Sequence, residues 1–318
     1  MRSGRYKRNC TLASLGAVLV AVQPLSFAKA QCTGGGVSNN AVADNPEYVR
    51  GQPSVVQIDD GGTIKHLSYA KVGDLAIFEG DIVIGNANSI EFAAQAGPIT
   101  LYRQTVTGSE ITPFGYMARS VLSGSQRWTN KTVPYTIDAS LAPPMVEDVR
   151  DAIRAWSGAT TIRFVERNRQ NSVSYPNYVV FKQGSNPLAC LSYGVGMMGG
   201  SQTVELVDGC GFGQIVHEIG HVLGLDHEQN RSDRDKFVRI NISNIIDGYA
   251  YAFEQRPSLY QDLGSYDFDS IMHYEPNAFT CNGSPTIEPL VALPAGVNFG
   301  QRTHISQGDI AAIKAAYK

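Results

Sequence analysis

The 318-residue chain is expected to fold as an α+β protein, with helices packed on an antiparallel or mixed sheet. Three observations carry that expectation. Four short strand-like runs, Thr132 to Asp138, Thr161 to Arg167, Tyr178 to Gly184 and Ser201 to Val207, surround a single amphipathic stretch. A second helical stretch, CGFGQIVHEIGHVLGL, places Ile215, Val216, Ile219, Val222 and Leu223 at helical spacing. A third closes the chain. With 43% hydrophobic residues, 32 Gly and a formal charge of −3, the composition suits a globular protein without the basic surface that nucleic acid demands.

Taken in order, residues 1–30 read as a secretory signal peptide. Arg2, Arg5, Lys7 and Arg8 precede the apolar run LASLGAVLVAV, and Ala28-Lys29-Ala30 supplies a small-residue cleavage signature before Gln31. Gln23 and Pro24 cut the apolar run short of the roughly 20 residues that span a bilayer. A secreted, extracellular protein is therefore expected, with no membrane contact once the leader is removed. Residues 31–119 are Gly-rich, and runs such as LAIFEGDIVIG read as strands broken by turns. The stretch MARSVLSGSQRW, with Arg119 in a small and polar setting, reads as an exposed, protease-sensitive joint.

Beyond the joint, Pro143 to Gly158 opens on prolines and repeats Met145, Val146, Val149, Ile153 and Trp156 at helical spacing. The segment Ile242 to Gln255 is expected to form a further helix capped by Ser243 or Asn244. Ser306 and Gln307 open the final amphipathic run, after which no further domain is expected. Four cysteines remain after the leader, Cys32, Cys190, Cys210 and Cys281, an even number in an oxidising compartment. Cys190 and Cys210 bracket a short segment and are the favoured pair; Cys32 then joins Cys281, or both are free.

The stretch HEIGHVLGLDH holds three of the chain's six histidines in eleven residues. His217 and His221, four apart on a helix, lie on nearly the same face and can aim at one point. Imidazoles at that spacing suit zinc, with bonds of about 2.0–2.1 Å. Glu218 projects about 100° further round, outside the ligand set but within reach of a water on the metal, where a general base belongs. A third ligand six residues on would miss the site if the helix continued. Gly224 can take the left-handed conformation that ends a helix and turns His227 back to the metal. Three neutral imidazoles with an open position make a catalytic site, and the motif lacks the fourth ligand of a closed structural one. A zinc-dependent binding module would have no use for Glu218.

These residues carry a resemblance. HEIGHVLGLDHE, His217 to Glu228, resembles the metzincin pattern HExxHxxGxxH followed by the glutamate of the astacin family of zinc metalloendopeptidases. HEQNRSDRDKFVRIN and SYDFDSIMHY are similar to the same family, and the resemblance runs from Trp128 to the end of the chain. It implies a mixed, twisted sheet with the active-site helix in an upper subdomain, and a less regular lower subdomain ending in the last helix, with the cleft between them. It implies one catalytic Zn2+, Met272 as the hydrophobic floor of a Met-turn, and Tyr274 as a switch tyrosine that stabilises the oxyanion. Each alone would be ordinary core. It also implies a Cys190 to Cys210 disulfide. His273 is expected to be structural, and His66 and His304 exposed or packed. The family's glycine after the Met-turn tyrosine is Glu275 here.

In FEGDI, Asp81 is similar to the aspartate of astacin propeptides, which blocks the zinc. Residues 31–119 are accordingly expected to be an inhibitory propeptide and residues 120–318 the peptidase domain. A thiolate switch through Cys32 is the competing reading. The resemblance also implies that cleavage near Arg119, by an activating protease or by self-cleavage, frees a new terminus anchored at Glu228, directly or through water. The alternative for Glu228 is a structural ion pair. The expected function is hydrolysis of polypeptide substrates by a zinc-activated water with Glu218 as base.

Overall fold

In the computed structural model, which describes residues 51–60, 63–100, 127–184, 189–255 and 261–318, ten strands join one mixed sheet. The leader at 1–30, Cys32 and the joint at Arg119 lie outside the described residues. The first strands are β1 (Gln52–Asp60), β2 (Thr63–Val72), β3 (Leu75–Phe78) and β4 (Ile82–Asn86), an antiparallel meander. A helix, α1 (Ala87–Ala94), and a short strand, β5 (Ile99–Thr100), which is parallel to β1, complete this part. The sequence reading saw no helix here. Its signal is Asn86, whose side chain accepts from Ser89 N at 2.9 Å and caps the first turn.

The second group is β6 (Thr132–Ile137), α2 (Pro143–Ala159), β7 (Arg163–Glu166), β8 (Tyr178–Gln183), β9 (Leu191–Ser192) and β10 (Ser201–Leu206). Each long strand falls where alternation places it. The sheet order is β5-β1-β2-β3-β4-β9-β10-β8-β6-β7, so the two groups meet where β4 pairs with β9 through Ile82 and Ser192. Helix α3 (Phe212–Leu223) packs with α2 on the sheet, burying Trp156, Phe181, Val204, Ile215 and Ile219 in one core.

After His227 the chain is far less regular, as the resemblance implies: a two-stranded ribbon of β11 (Val238–Ile240) and β12 (Ile287–Pro289), several single turns, and α4 (Gln307–Ala316). An aromatic core including Tyr249, Phe253, Tyr274 and Phe279 holds it, and Ala70 of β2 joins that core. The expected helix over Ile242 to Gln255 does not form. Two isolated 3-10 turns, Ile242–Asn244 and Ala250–Phe253, stand there instead. Gly248 breaks the run at φ 86, Ile245 pairs with Thr280, and Tyr249, Tyr251 and Phe253 are all buried. Burial of successive aromatic residues outweighs helical propensity. The Cys190–Cys210 disulfide is present, and Cys281 is also disulfide-bonded.

Candidate metal centre

Helix α3 is anchored by donors from outside it. Trp156 Nε1 donates to Val216 O at 2.9 Å and Trp128 Nε1 to Val222 O at 2.7 Å. Tyr317 donates its hydroxyl to Leu223 O at 3.0 Å, and Gly196 N donates to His221 O at 2.8 Å. Carbonyls in a last helical turn have no partner within the helix, so the donors to His221, Val222 and Leu223 are what allow the end to be buried, while Trp156 grips the helix at its middle. Gly224 takes φ 102; Leu225 N bonds Gly220 O and Gly224 N bonds His221 O, each at 2.9 Å. This paired 6→1 and 5→2 closure reverses the chain and returns His227.

His217, His221 and His227 are all buried, and their ring edges converge on Asp81. Asp81 Oδ2 lies 3.1 Å from His217 Nε2, 3.0 Å from His227 Nε2 and 3.7 Å from His221 Nε2. These separations bracket the roughly 3.3 Å between ligands of a tetrahedral ion with bonds of about 2.0 Å. The four ligand atoms lie within 4.8 Å of one another, so three nitrogens and one carboxylate oxygen fit a zinc ion. Burial pushes the Asp81 carboxyl up, but the imidazoles of His227 and His221 outweigh it and hold it well below the usual carboxylate range.

The second nitrogen of each ring has its own partner. Ile271 O faces His217 Nδ1 at 2.8 Å, Leu225 O faces His221 Nδ1 at 2.9 Å, and Glu79 Oε2 faces His227 Nδ1 at 3.0 Å. Sequence reasoning missed Glu79. Only its place between Phe78 and the Gly80-Asp81 pair marked it. Glu218 is fully buried on α3 beside His217.

Met272 lies under α3, where a Cβ on Gly220 would stand 2.4 Å from its Sδ. Gly220 is thus the residue that lets the floor approach the helix. The Met-turn is held from α4: Asp309 accepts from Ser270 Oγ at 2.6 Å and from Ile271 N at 3.0 Å, another role the sequence reading did not assign. Its visible signal was a helix cap, since Ser306 and Asp309 form a capping box. Tyr274 is fully buried, with its hydroxyl donated to Glu79 O and its ring 4.6 Å from that of His227. His273 is structural: it accepts from Tyr266 OH at 2.7 Å and faces Tyr274 O at 2.7 Å. His66 and His304 are exposed. Behind Glu275, Gly300 takes φ 80 and comes so close that a Cβ would stand 2.3 Å from Glu275 Cα.

Glu228 accepts from Asp267 N at 2.7 Å and stands 3.5 Å from Arg231 Nε. It lines a cavity of about 520 Å³ shared with Leu225, Asp267, Ser306 and Asp309. Burial pushes its carboxyl up to about 8.

Three buried histidines of a helix and the turn after it, above Met272 and set against a mixed sheet, form the arrangement of a zinc metallopeptidase fold of the metzincin type. The model of the Astacin peptidase family matches residues 120–318, and the chain belongs to the astacin family of zinc metalloendopeptidases. It is 40% identical over 200 residues to a bone morphogenetic protein 1 homolog of Strongylocentrotus purpuratus, covering 61% of this chain and 31% of that protein. It is 35% identical over 243 residues to zinc metalloproteinase nas-13 of Caenorhabditis elegans, covering 76% of this chain and 50% of that one. The chain thus spans half or less of the length of these relatives. Among solved structures, high choriolytic enzyme 1, a hatching enzyme zinc-protease from Oryzias latipes, matches with a TM-score of 0.52 and 35% identity. That match covers 61% of this chain and 96% of the other. The family uses a catalytic zinc, and the histidine cluster is able to bind one. No helix among the described residues is long and apolar enough to cross a membrane.

Proposed function

We propose that this chain is a secreted zinc endopeptidase made as a latent precursor, with residues 1–30 as leader, 31–119 as inhibitory propeptide and 120–318 as peptidase domain. His217, His221 and His227 would hold the zinc, with Asp81 as a further ligand until the propeptide is cut. Bound there, zinc polarises the scissile carbonyl of a polypeptide and makes water acidic near neutral pH.

The protein's own groups do the rest. Glu218 takes the proton of the attacking water and returns it to the leaving amine. Tyr274 donates its hydroxyl to the oxyanion once Glu79 O no longer accepts it. Met272 supplies the floor that keeps the histidines in register. Cleavage near Arg119, by an activating protease or by the enzyme itself, yields a terminus at Ser120. Its ammonium group enters the cavity beside Glu228, where Asp267 and Asp309 add acceptors.

One observation carries this reading: Asp81, from the first strand group, sits at the point on which the three histidines of α3 and the turn after it converge. Digestion of a denatured protein by the processed enzyme, with and without chelator and with Glu218→Ala as control, tests it. Chelator-sensitive cleavage that Glu218→Ala abolishes is the expected result. Processed enzyme with no chelator-sensitive cleavage overturns the assignment, and terminal sequencing that starts far from residues 118 to 120 overturns the activation site.

A further inference from the structure

Metal-ligating histidines work best when the far ring nitrogen donates to a fixed acceptor, which sets the tautomer, orients the ring and raises the basicity of the ligating nitrogen. His217 and His221 find that acceptor in backbone carbonyls, Ile271 O and Leu225 O, close to the site in the peptidase part of the chain. His227 finds it in Glu79 Oε2, two residues from Asp81 on the strand group that lies against the cleft.

Glu79 is unfavourable to place there. It is fully buried, and its backbone sits at φ 51, a left-handed conformation that is unfavourable for a non-glycine residue. Burying a carboxylate costs more unless a partner holds it. Presenting Asp81 requires neither: a glycine or asparagine would serve the turn before Gly80, with no charge buried. Glu79 also uses its carbonyl, which accepts from Tyr274 OH. One residue therefore engages both the third ligand, through its side chain, and the switch tyrosine, through its backbone.

We infer that Glu79 is a positioning residue of the latent state: its carboxylate orients His227 as a zinc ligand, so the precursor carries a temporary second layer of the metal site that leaves with the propeptide. This rests on the reading of residues 31–119 as propeptide and of the three histidines as ligands. After removal, the nearest carboxylate is Asp226, whose Oδ1 stands 3.9 Å from His227 Nδ1 in the precursor. The propeptide then both blocks the zinc, through Asp81, and helps to load and retain it, through Glu79.

The test uses the full precursor. Glu79→Gly suits the left-handed backbone and keeps the carbonyl for Tyr274, so it removes the carboxylate alone; Glu79→Gln keeps an acceptor without the charge. Zinc Kd is read by competition with a chromophoric chelator, and ligand geometry by the d–d absorption of the Co2+ form. Glu79→Gly is expected to raise the Kd about tenfold and shift the Co2+ bands, with a smaller rise for Glu79→Gln. Matured enzyme from either variant should match wild type, because residue 79 is gone. A Glu79→Gly precursor with wild-type Kd and Co2+ spectrum overturns the role of Glu79 and leaves the latency reading standing. An intact Asp81→Ala precursor that stays latent overturns the latency reading itself.

Discussion

Asp81 Oδ2 and His227 Nε2 stand 3.0 Å apart although 146 residues separate them, and the contact joins β4's lead-in to the turn after α3. In the latency proposed above, a carboxylate in that place competes with water for the metal. The precursor Asp81→Ala should therefore cleave peptide substrate while its propeptide is still attached, at a rate clearly above that of the wild-type precursor, because the metal position that activates water is then open. Activity measured beside intact mass decides it; equal, negligible rates for both precursors count against the block.

Glu218 is buried beside a ligand without belonging to the cluster of metal-ligating atoms. Its loss should separate chemistry from metal binding. Glu218→Gln in processed enzyme should lower kcat by about 10²–10⁴-fold, the usual contribution of a general base. Zinc content by atomic absorption should stay at one per chain. A variant that loses its zinc would assign Glu218 a structural part instead.

Two glycines of α3 should respond unequally to alanine, although both changes favour helix by about 1 kcal/mol. A Cβ on Gly213 would stand 1.8 Å from the backbone carbonyl oxygen of Arg302, which cannot step aside. A Cβ on Gly220 clashes with Met272 Sδ, at 2.4 Å, and crowds its Cε at 3.3 Å, with Trp156 Cζ2 in ordinary contact at 3.6 Å; a thioether can repack. Gly213→Ala should cost about 3 kcal/mol or more and Gly220→Ala about 1–2 kcal/mol by chemical denaturation. The smaller change should still weaken zinc, since it displaces the floor.

Burial pushes the imidazole of His273 down to about 3, against an ordinary value near 6.5. The unfolded chain therefore takes up the proton first as pH falls. Stability from keeping this ring neutral is complete above about pH 6.5 and is lost progressively down to about pH 3, by up to about 1.4 kcal/mol per pH unit. His273→Gln should fold and show a shallower loss of stability than wild type across that window. Parallel curves for the two proteins would mean that His273 does not titrate on unfolding.

The centre was legible because its chemistry is local. His217, Glu218, His221, Gly224 and His227 lie within eleven residues; helix geometry directs the first three, and the left-handed helix end at Gly224 directs His227. Met272 and Tyr274 were reached only by resemblance, and Asp81 by resemblance together with its chemistry, a carboxylate after a glycine that allows close approach, since nothing in their neighbourhoods says where the chain will bring them. Glu79 and Asp309 were missed for a related reason. Each looks like an ordinary turn or cap residue, and its distinguishing contact, with His227 or with Ile271 N, spans 148 or 38 residues. The false helix at Ile242 to Gln255 shows the converse: apolar residues spaced for a helix were serving an aromatic core that reads each side chain separately.

The two indoles that hold α3 give this protein a built-in optical reporter. Trp128 and Trp156 are its only tryptophans, and both rest on carbonyls of the metal-bearing helix. Residues 1–127 contain none. Tryptophan emission thus reads α3 rather than strands β1 to β5, so the light emitted before and after the proposed cleavage compares one element in two settings.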